Sequence, residues 1–255
     1  MVHPNIKIKE IFYNFGFFAR TLKGVGTYIK RTQASKILIM QILFTFVQAM
    51  GISTLLALGI GAAVNVIGVP MLTKFSQQQL IYSLLITIIT RELGPLLTAF
   101  IVIARSATAI ATEIAGMVIS HEVEAYISVG VDPIEHLAVP RFLGVTSSLV
   151  LLNIYFSVFG LAGSFLVAQF FFSMPMDYYF SNLLQRLTFQ DILISLMKSF
   201  AFGALISMGA VIQGFSVERA STEVPVAGLK AVSSSFALCI IVDIILSALY
   251  YIAIA

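Results

Sequence analysis

The sequence predicts an all-α integral membrane protein with five transmembrane helices and an N-terminal interfacial amphipathic helix. Of its 255 residues 59% are hydrophobic and only 11% are charged, and the mean hydropathy is +0.99. Soluble domains carry about 25% charged residues, so a chain this apolar needs lipid as its solvent. Stretches long enough to cross a hydrocarbon core of about 30 Å contain no charge at all or almost none. The charge-free stretches are 37–73, 142–176, 199–217 and 231–242.

Residues 1–36 precede the first span and are predicted to form a separate cytoplasmic or interfacial helix. One face carries the apolar residues Ile8, Ile11, Phe12, Phe15, Phe18 and Leu22, and the opposite face carries Lys7, Glu10, Asn14 and Thr21. This pattern favours a helix that lies in the membrane interface with its aromatic side toward lipid. The alternative is a soluble amphipathic helix that docks on another protein.

Residues 37–255 form the predicted transmembrane domain, with spans at about 37–60, 80–110, 142–170, 191–213 and 231–253. Basic residues crowd before the first span, whereas the connection 61–79 contains only Lys74. Because Lys and Arg are enriched on the cytoplasmic side, the N-terminus is predicted to be cytoplasmic and the C-terminus, after five crossings, to be outside.

The second span carries charges at membrane depth, since Arg91 and Glu92 lie near the middle of the apolar stretch 80–104 and Gly94 and Pro95 follow. An ionised side chain at that depth must face protein or water and find a partner. Pro95 has no N–H, so the Arg91 carbonyl loses its helical donor. Such backbone occurs in membranes only inside protein or beside a cavity. The segment is therefore predicted to line a polar cavity.

Further charges lie in the other predicted spans. We expect Lys198 to join Arg91 and Glu92, which gives two cations and one anion, a set that suits an amphiphile with a negative headgroup but equally a proton or an anionic solute. Helix-pairing roles are favoured for the remaining charges, which are Arg105, Glu113, Asp191 and Asp243. The small residues of 104–116 predict close helix packing, either within one protomer or at a dimer interface.

The connection at about 117–141 is predicted to contain two short helices. The first runs from Glu122 to Val129 and is predicted to end at Gly130. Asp132 is predicted to cap the second helix, with Pro133 at its first position and Glu135 reaching back to the cap. Pro140 is predicted to stop the second helix. Together the two helices present an apolar face made of Val123, Ile127, Val131, Ile134 and Leu137. This face favours docking into a groove of another protein. The alternative is that it folds back onto the protein's own membrane helices.

Signatures of an enzyme are missing from the sequence. It contains no G-x-x-x-x-G-K-[ST] phosphate loop, no G-x-S-x-G elbow and no H-E-x-x-H motif. His121 and His136 are separated by fifteen residues without a cysteine nearby, so a metal site is not expected. The net charge of +3 is small and lies mostly at the N-terminus, which indicates juxtamembrane anchoring rather than nucleic-acid binding. We expect no catalytic residue, metal or cofactor in this chain.

Two stretches carry a resemblance to a known family. "RELGPLLTAFIVIARSATAIATEIAGM" and "EVEAYISVGVDPIEHLAVPR" resemble the MlaE-type permeases of bacterial ABC transporters that are associated with MCE proteins. "DILISLMKSFAFG" and "AVSSSFALCIIVDIILSALYY" are similar to the last two helices of that family. The likeness covers about 45–255. It departs within 214–230, where Ala227-Gly228-Leu229-Lys230 replaces the family's Ala-Thr-Thr before a basic residue.

The resemblance implies an ABC exporter-like permease fold in a homodimer, in the inner membrane of a diderm bacterium. It implies two cytoplasmic ATPase subunits that use ATP and Mg²⁺, a periplasmic ring of MCE domains, and glycerophospholipid as the substrate carried between the inner and outer membranes. The lipid pocket would include Arg91, Glu92, Lys198, Met71, Leu72 and Phe75. The ATPase would dock on the loop residues Glu122, Glu124, Tyr126, Val131, Asp132, Pro133, Ile134, Leu137 and Arg141.

Two other functions fit the bare sequence. An ion-coupled secondary transporter would use Glu92 or Asp243 as a proton site and would need no ATPase, although such folds usually show internal repeats and none is found here. A non-transporting scaffold that positions other subunits would leave the charges at membrane depth only a helix-pairing role.

Overall fold

The computed structural model describes residues 16–26, 28, 35–218 and 220–254, and in these ranges the chain forms helices and no strand. The helices are α1 (16–26), α2 (Leu38–Lys74), α3 (Leu80–Ile119), α4 (Glu122–Ser128), α5 (Ile134–Phe172), α6 (Met176–Arg186), α7 (Phe189–Phe215) and α8 (Glu223–Ala253). By length and composition α2, α3, α5, α7 and α8 can cross a membrane. The predicted all-α fold with five spans is confirmed.

Several spans are longer than the apolar runs predicted. Helix α2 continues to Lys74 and α3 to Ile119, so much of the predicted connection 61–79 is helical. The prediction that Pro140 stops the second loop helix is wrong, because Pro140 lies in the first turn of the α-helix Val139–Phe172, directly after the π-helical turn Ile134–Ala138. A proline at this position gives up an N–H that a helix start does not need.

Helices α2 and α5 pack against each other through glycines. A methyl group added to Gly61 would overlap the carbonyl oxygen of Gly160, and one added to Gly163 would lie 2.7 Å from the Cα of Leu58. The buried Asn65 amide donates across the same contact to the Ser164 carbonyl. The backbones of α2 and α5 are therefore so close at these glycines that no larger side chain fits between them.

The small residues of 104–116 pack within one protomer. Ala107, Ala111 and Ala115 are fully buried. A Cβ on Gly214 of α7 would lie 3.0 Å from the Ala111 carbonyl oxygen, and one on Gly228 of α8 would lie 3.0 Å from the Thr112 methyl group. This packing agrees with the first of the two alternatives that the sequence left open, close helix packing within one protomer.

Helix α1 lies against the bundle. Phe17 and Thr21 are buried, and the Phe18 ring makes an edge contact with Phe142 of α5. Thr21 was predicted on the polar face, but its hydroxyl donates to the Phe17 carbonyl at 3.1 Å, which satisfies it inside the protein. Leu22, predicted on the apolar face, is 46% exposed. The predicted apolar residues from Ile8 to Phe15 lie outside the described residues.

Helix α6 closes the end of the bundle that carries the α2–α3 turn. Its Tyr179 is buried among Tyr82, Phe165 and Phe180, and its hydroxyl is hydrogen-bonded to Ser164. Burial raises the pKa of Tyr179 to about 12, so the phenol stays neutral at physiological pH.

Candidate functional site

Five ionisable side chains from three helices meet inside the bundle. They form what we call the charge cluster: Arg91 and Glu92 of α3, Asp191 and Lys198 of α7, and Asp243 of α8. The sequence predicted Arg91, Glu92 and Lys198 as a group, and the structure brings them together. It adds Asp191 and Asp243, for which helix pairing was favoured.

Lys198 is the buried centre of one half of the cluster, with no exposed side-chain surface. Its Nζ lies 2.6 Å from Glu92 Oε2 and 2.9 Å from Asp243 Oδ1, and it donates to Ser247 Oγ at 2.7 Å. The Ser247 hydroxyl in turn donates to Glu92 Oε2 at 3.0 Å. The ammonium group therefore has two hydrogen-bond acceptors, Glu92 and Ser247, and a second carboxylate, Asp243, at ion-pair distance, which together compensate the buried charge.

Arg91 organises the other half. Its Nη1 lies 3.4 Å from Asp191 Oδ1 and its Nε lies 3.3 Å from Glu92 Oε1. The guanidinium carbon lies 5.0 Å from the ring centres of both Tyr250 and Tyr251, and Nη2 donates to the Tyr251 hydroxyl. Two aromatic faces and two carboxylates replace the water that the cation gives up.

Asp191 also holds the start of α7. With Thr188 it forms a capping box, in which the Thr188 hydroxyl accepts from the Asp191 amide and the Asp191 carboxylate accepts from the Thr188 amide. Its other carboxylate oxygen accepts from the Tyr250 hydroxyl at 3.3 Å. One carboxylate thus fixes the first turn of α7, Arg91 of α3 and the end of α8.

The backbone beneath Arg91 is locally widened. Residues Ile86–Leu93 form a π-helical stretch that ends where the α-helix resumes at Gly94–Val102. Pro95 has no N–H for the preceding turn, and the Thr98 hydroxyl donates to the Gly94 carbonyl at 2.7 Å. A Cβ at Gly94 would lie 2.5 Å from the Ile89 carbonyl oxygen, so only glycine fits the wide turn. This geometry rotates Arg91 and Glu92 toward α7 and α8.

The charge balance differs from the predicted one. The sequence led us to expect two cations and one anion, but the cluster contains two cations and three carboxylates, a formal sum of −1 when all are ionised. The partners were missed because Asp191 and Asp243 lie far from Arg91 along the chain. The cluster therefore offers paired charges of both signs instead of two free cations.

Access to the cluster is uneven. The exposed fraction of the side chain is 29% for Glu92 and 17% for Asp243, against 11% for Arg91, 9% for Asp191 and zero for Lys198. Glu92 is therefore the most accessible member of the cluster.

Ser247, Tyr250 and Tyr251 are contacts that sequence reasoning missed as part of the site. The sequence did contain a signal for them. Ser247 follows Asp243 by four residues, and Tyr250 and Tyr251 follow Ser247 by three and four residues, spacings that place all of these side chains on one face of a helix.

Helix α8 contacts its neighbours in two ways. From Ala227 to Cys239 a buried residue recurs every fourth position, at Ala227, Ala231, Ser235 and Cys239. From Ile240 to Ala253 no residue is buried within the protomer, and the helix is joined to α3 and α7 by the polar contacts of Asp243, Ser247, Tyr250 and Tyr251.

The other predicted pocket residues lie apart from the cluster. Met71 and Phe75 are 59% and 67% exposed at the end of α2, and Leu72 is partly buried beside them. Arg91 lies eleven residues beyond Leu80, the start of α3, which is roughly 16 Å along the helix. The protomer does not bring these three residues onto the charge cluster.

Arg105 and Glu113 also lie outside the cluster, in the second half of α3. The Arg105 guanidinium donates to the Gln48 side chain at 2.8 Å and to its carbonyl, and Glu113 accepts from Arg141 at 3.0 Å. Both contacts join α3 to a neighbouring helix, as the helix-pairing interpretation expects.

The 117–141 segment forms the predicted short helix and turn. Helix α4 spans Glu122–Ser128, Gly130 has φ +77°, and Asp132 Oδ1 accepts from the Ile134 amide at 2.9 Å. Glu122, Glu124 and Asp132 are exposed, Pro133 and Ile134 are half-buried, and Tyr126 packs on His136. The predicted apolar face is divided, because Leu137 is buried in the bundle and Val123 is half-buried, whereas Ile127 (60%) and Val131 (37%) are exposed. The neighbouring Val129 is also exposed (72%), and Arg141 is buried.

Comparisons with known proteins agree with this architecture. The model of the family described as Permease MlaE matches residues 38–249, which is most of the chain. A probable ABC transporter permease protein of Rickettsia typhi is 27% identical over 94% of this chain and 91% of its own length. The intermembrane phospholipid transport system permease protein MlaE of Haemophilus influenzae is 26% identical over 89% of this chain and 88% of its own. The chloroplastic protein TRIGALACTOSYLDIACYLGLYCEROL 1 of Arabidopsis thaliana is 26% identical over 80% and 58%.

The matched region contains four spans and most of the fifth, all five residues of the charge cluster and the 117–141 segment, and it ends just before Tyr250 and Tyr251. The chain is a multi-pass membrane protein, and it belongs to the MlaE permease family.

Proposed function

We propose that this chain is the transmembrane permease subunit of an ABC transporter that moves glycerophospholipids between the inner and outer membranes of a diderm bacterial envelope. Membership in the MlaE permease family supports the transporter class. The name of the Haemophilus relative, a phospholipid transport permease at 26% identity, supports the substrate. A separate subunit supplies ATP hydrolysis, with its ATP and Mg²⁺.

The observation that carries the proposal is the charge cluster. Glu92 lies partly exposed on a span and is held by the buried Lys198 and Arg91. A phospholipid headgroup brings a phosphate that accepts from cations and, in many lipids, an ammonium or hydroxyl group that donates to carboxylates. In this mechanism the groups of the headgroup replace the ion pairs that the cluster residues make with each other. Each charge in the membrane therefore has a partner both when the site is empty and when it holds lipid.

The proposed assembly is a homodimer in the inner membrane, with the N-terminus cytoplasmic, the C-terminus periplasmic and lipid between the protomers. Met71, Leu72 and Phe75 would border that pocket from the end of α2, where Met71 and Phe75 are exposed in the single chain. Two ATPase subunits would dock on the 117–141 segment, and an MCE-domain ring would receive lipid on the periplasmic side.

Native purification of the tagged chain in mild detergent tests the assembly. Mass spectrometry of the sample should identify an ABC ATPase, an MCE-domain protein and glycerophospholipid together. Repeated isolation of the chain without any nucleotide-binding protein, across several detergents, would contradict the proposal.

One observation favours a second function, an ion-coupled transporter of an anionic amphiphile. Asp243 and Glu92 share the ammonium group of Lys198 at 2.9 and 2.6 Å, an arrangement in which protonation of a carboxylate would release the lysine. Lipid movement that stops when the proton gradient is dissipated, and continues without ATP, would identify this function.

A further inference from the structure

We infer that a second site, separate from the charge cluster, binds the phosphate-bearing headgroup of a membrane amphiphile in a groove beside the α2–α3 turn. This turn groove has a volume of about 710 Å³ and is formed by the end of α2, the start of α3, Met174 and helix α6. Its size is in the range of ordinary ligand sites.

The groove has an apolar floor and a polar rim. Val69, Ile81 and Tyr82 form the floor and are 7%, 3% and 3% exposed, with Met174 beside them. The rim carries the side chains of Thr73 and the three consecutive glutamines 77–79, together with Tyr178 and Arg186. An apolar floor next to amide and hydroxyl groups fits a molecule that has both an acyl chain and a polar head.

Arg186 gives the rim its charge. It is the only charged residue among those that line the groove, and within the described part of the chain it has no ion-pair partner. The Arg91 guanidinium, in contrast, is compensated by two carboxylates. A guanidinium without an ion-pair partner presents paired N–H donors in one plane, which match the oxygens of a phosphate group. The groove is therefore best suited to a lipid with an anionic, phosphate-bearing headgroup.

The turn that carries the glutamines has a defined shape. Ser76 adopts the left-handed conformation with φ +56°, and the backbone N–H of Gln77 donates to the Leu72 carbonyl at 3.0 Å. The side-chain amide of Gln78 donates to the Thr73 hydroxyl at 3.3 Å. The rim is thus arranged before a ligand arrives, which lowers the entropy lost on binding.

The location suits a lipid head. The groove lies where α2 ends and α3 begins, at one end of the apolar bundle, and is separated from Arg91 by about three helical turns. Polar headgroups lie at that level of a bilayer, whereas the charge cluster lies within it. The inference does not depend on the proposed transport, because it concerns binding only.

Photolabelling tests the site. The complete chain in nanodiscs of phosphatidylcholine is irradiated with a diazirine-bearing phosphatidylglycerol or with the matching diacylglycerol, and labelled peptides are mapped by mass spectrometry. We expect phosphatidylglycerol to label the groove residues at least about fivefold more than diacylglycerol. Arg186→Gln should remove that preference and Arg186→Lys should retain part of it. Lys74→Gln, which removes a nearby cation that does not line the groove, should leave it unchanged.

Inorganic phosphate in excess separates the two sources of the anion. Labelling that persists in its presence supports a membrane lipid, whereas loss of labelling would overturn the lipid assignment in favour of a soluble phosphate compound. Equal labelling by both probes, or labelling that is unchanged in Arg186→Gln, would overturn the site itself. Circular dichroism and size exclusion verify that each variant is folded.

Discussion

Among single residues, Glu92 connects the charge cluster to its surroundings. Its two carboxylate oxygens contact different cations, Arg91 at 3.3 Å and Lys198 at 2.6 Å, and 29% of its side chain is exposed. A ligand that competes for those cations therefore acts first on Glu92. The proposed role of Glu92 in lipid movement can be separated from a role in folding, because an amide of the same shape keeps one acceptor oxygen for Lys198 but removes the charge.

Replacing Glu92 with Gln is expected to reduce lipid transport more than protein abundance. The amide oxygen can still accept from Lys198, and the formal charge of the cluster becomes zero, so folding should be largely retained. Loss of the carboxylate should weaken headgroup exchange and lower the transport rate about tenfold, which corresponds to about 1.4 kcal/mol. The measurement is ATP-driven lipid transfer by the reconstituted complex, normalised to the amount of permease.

Glu113→Gln is the matched control for this change. Glu113 lies on the same helix, is paired with Arg141 at 3.0 Å and does not contact the cluster. Its substitution should leave transport near the unmodified rate. Parallel losses of abundance and transport in Glu92→Gln would reduce Glu92 to a structural residue.

Sequence reasoning identified Arg91, Glu92 and Lys198 because a charge in an apolar run is conspicuous by itself. It could not give the balance of charge, because the pairing of Lys198 with Asp243 and of Arg91 with Asp191 depends on how α3, α7 and α8 pack. The same limit applies to Arg141 and Leu137, which were expected on a docking surface and are buried in the bundle.

At the level of helices, the contact between α2 and α5 depends on glycine. Gly61→Ala is expected to destabilise the protein by about 1–3 kcal/mol, since the added methyl group would overlap the Gly160 backbone, which cannot move without separating the helices. Thermal unfolding of the purified protein in detergent measures the effect as a lower transition temperature.

Gly59→Ala provides the comparison on the same helix. A Cβ at Gly59 meets no atom within 4 Å, and alanine favours a helix over glycine by about 1 kcal/mol, so this variant should be neutral or slightly more stable. Equal stability of the two variants would show that the α2 and α5 backbones are farther apart at Gly61 than the contact with Gly160 indicates.

Helix α8 should show two different stabilities along its length. Asp243→Asn removes the ion pair with Lys198 that helps to hold its second half, where no residue is buried within the protomer. We expect hydrogen exchange of the backbone amides at 240–253 to become about tenfold faster, while 227–239, held by buried small side chains, remains unchanged. Exchange is followed by mass spectrometry of the detergent-solubilised protein.

Ser233→Ala is the control, because the Ser233 hydroxyl donates only to carbonyls of its own helix, those of Leu229 and Lys230. It should not change exchange in either half of α8. Uniform acceleration along the whole helix in Asp243→Asn would mean that the ion pair stabilises the entire fold and not one end of α8.

Hydropathy predicted the number of membrane spans but not their lengths. A charge such as Arg105 or Glu113 ends an apolar run, whereas a helix ends only where its backbone or capping changes. Helix α3 accommodates both charges by pairing them with α2 and α5 and continues to Ile119. Sequence did predict the ends that have chemical markers, including Gly130 at its positive φ and Asp132 at its cap.

In the whole molecule, the charge cluster and the 117–141 segment lie toward opposite ends of the bundle. Helix α3 contains Arg91 and Glu92 in its first half and leads directly to α4 at the other end. A movement of the loop imposed by a partner would therefore reach the cluster along one continuous helix, whose π-helical stretches at Ile86–Leu93 and Ile103–Ala107 are where it bends most readily.

The exposed apolar residues at this end lead to the last prediction. If an ATPase docks on the segment, Ile127→Asp combined with Val129→Asp should reduce its co-purification at least about thirtyfold, because each introduced carboxylate would have to be buried in an apolar contact. The permease itself should fold normally, since both side chains are mostly exposed and pack against nothing that the fold requires.

Ser128→Asp places the same charge on the same exposed helix without removing an apolar group, and it should retain most of the ATPase. Quantitative mass spectrometry of the tagged permease measures the ratio of ATPase to permease. An unchanged ratio in the double variant would show that the ATPase does not dock on the apolar surface of Ile127 and Val129.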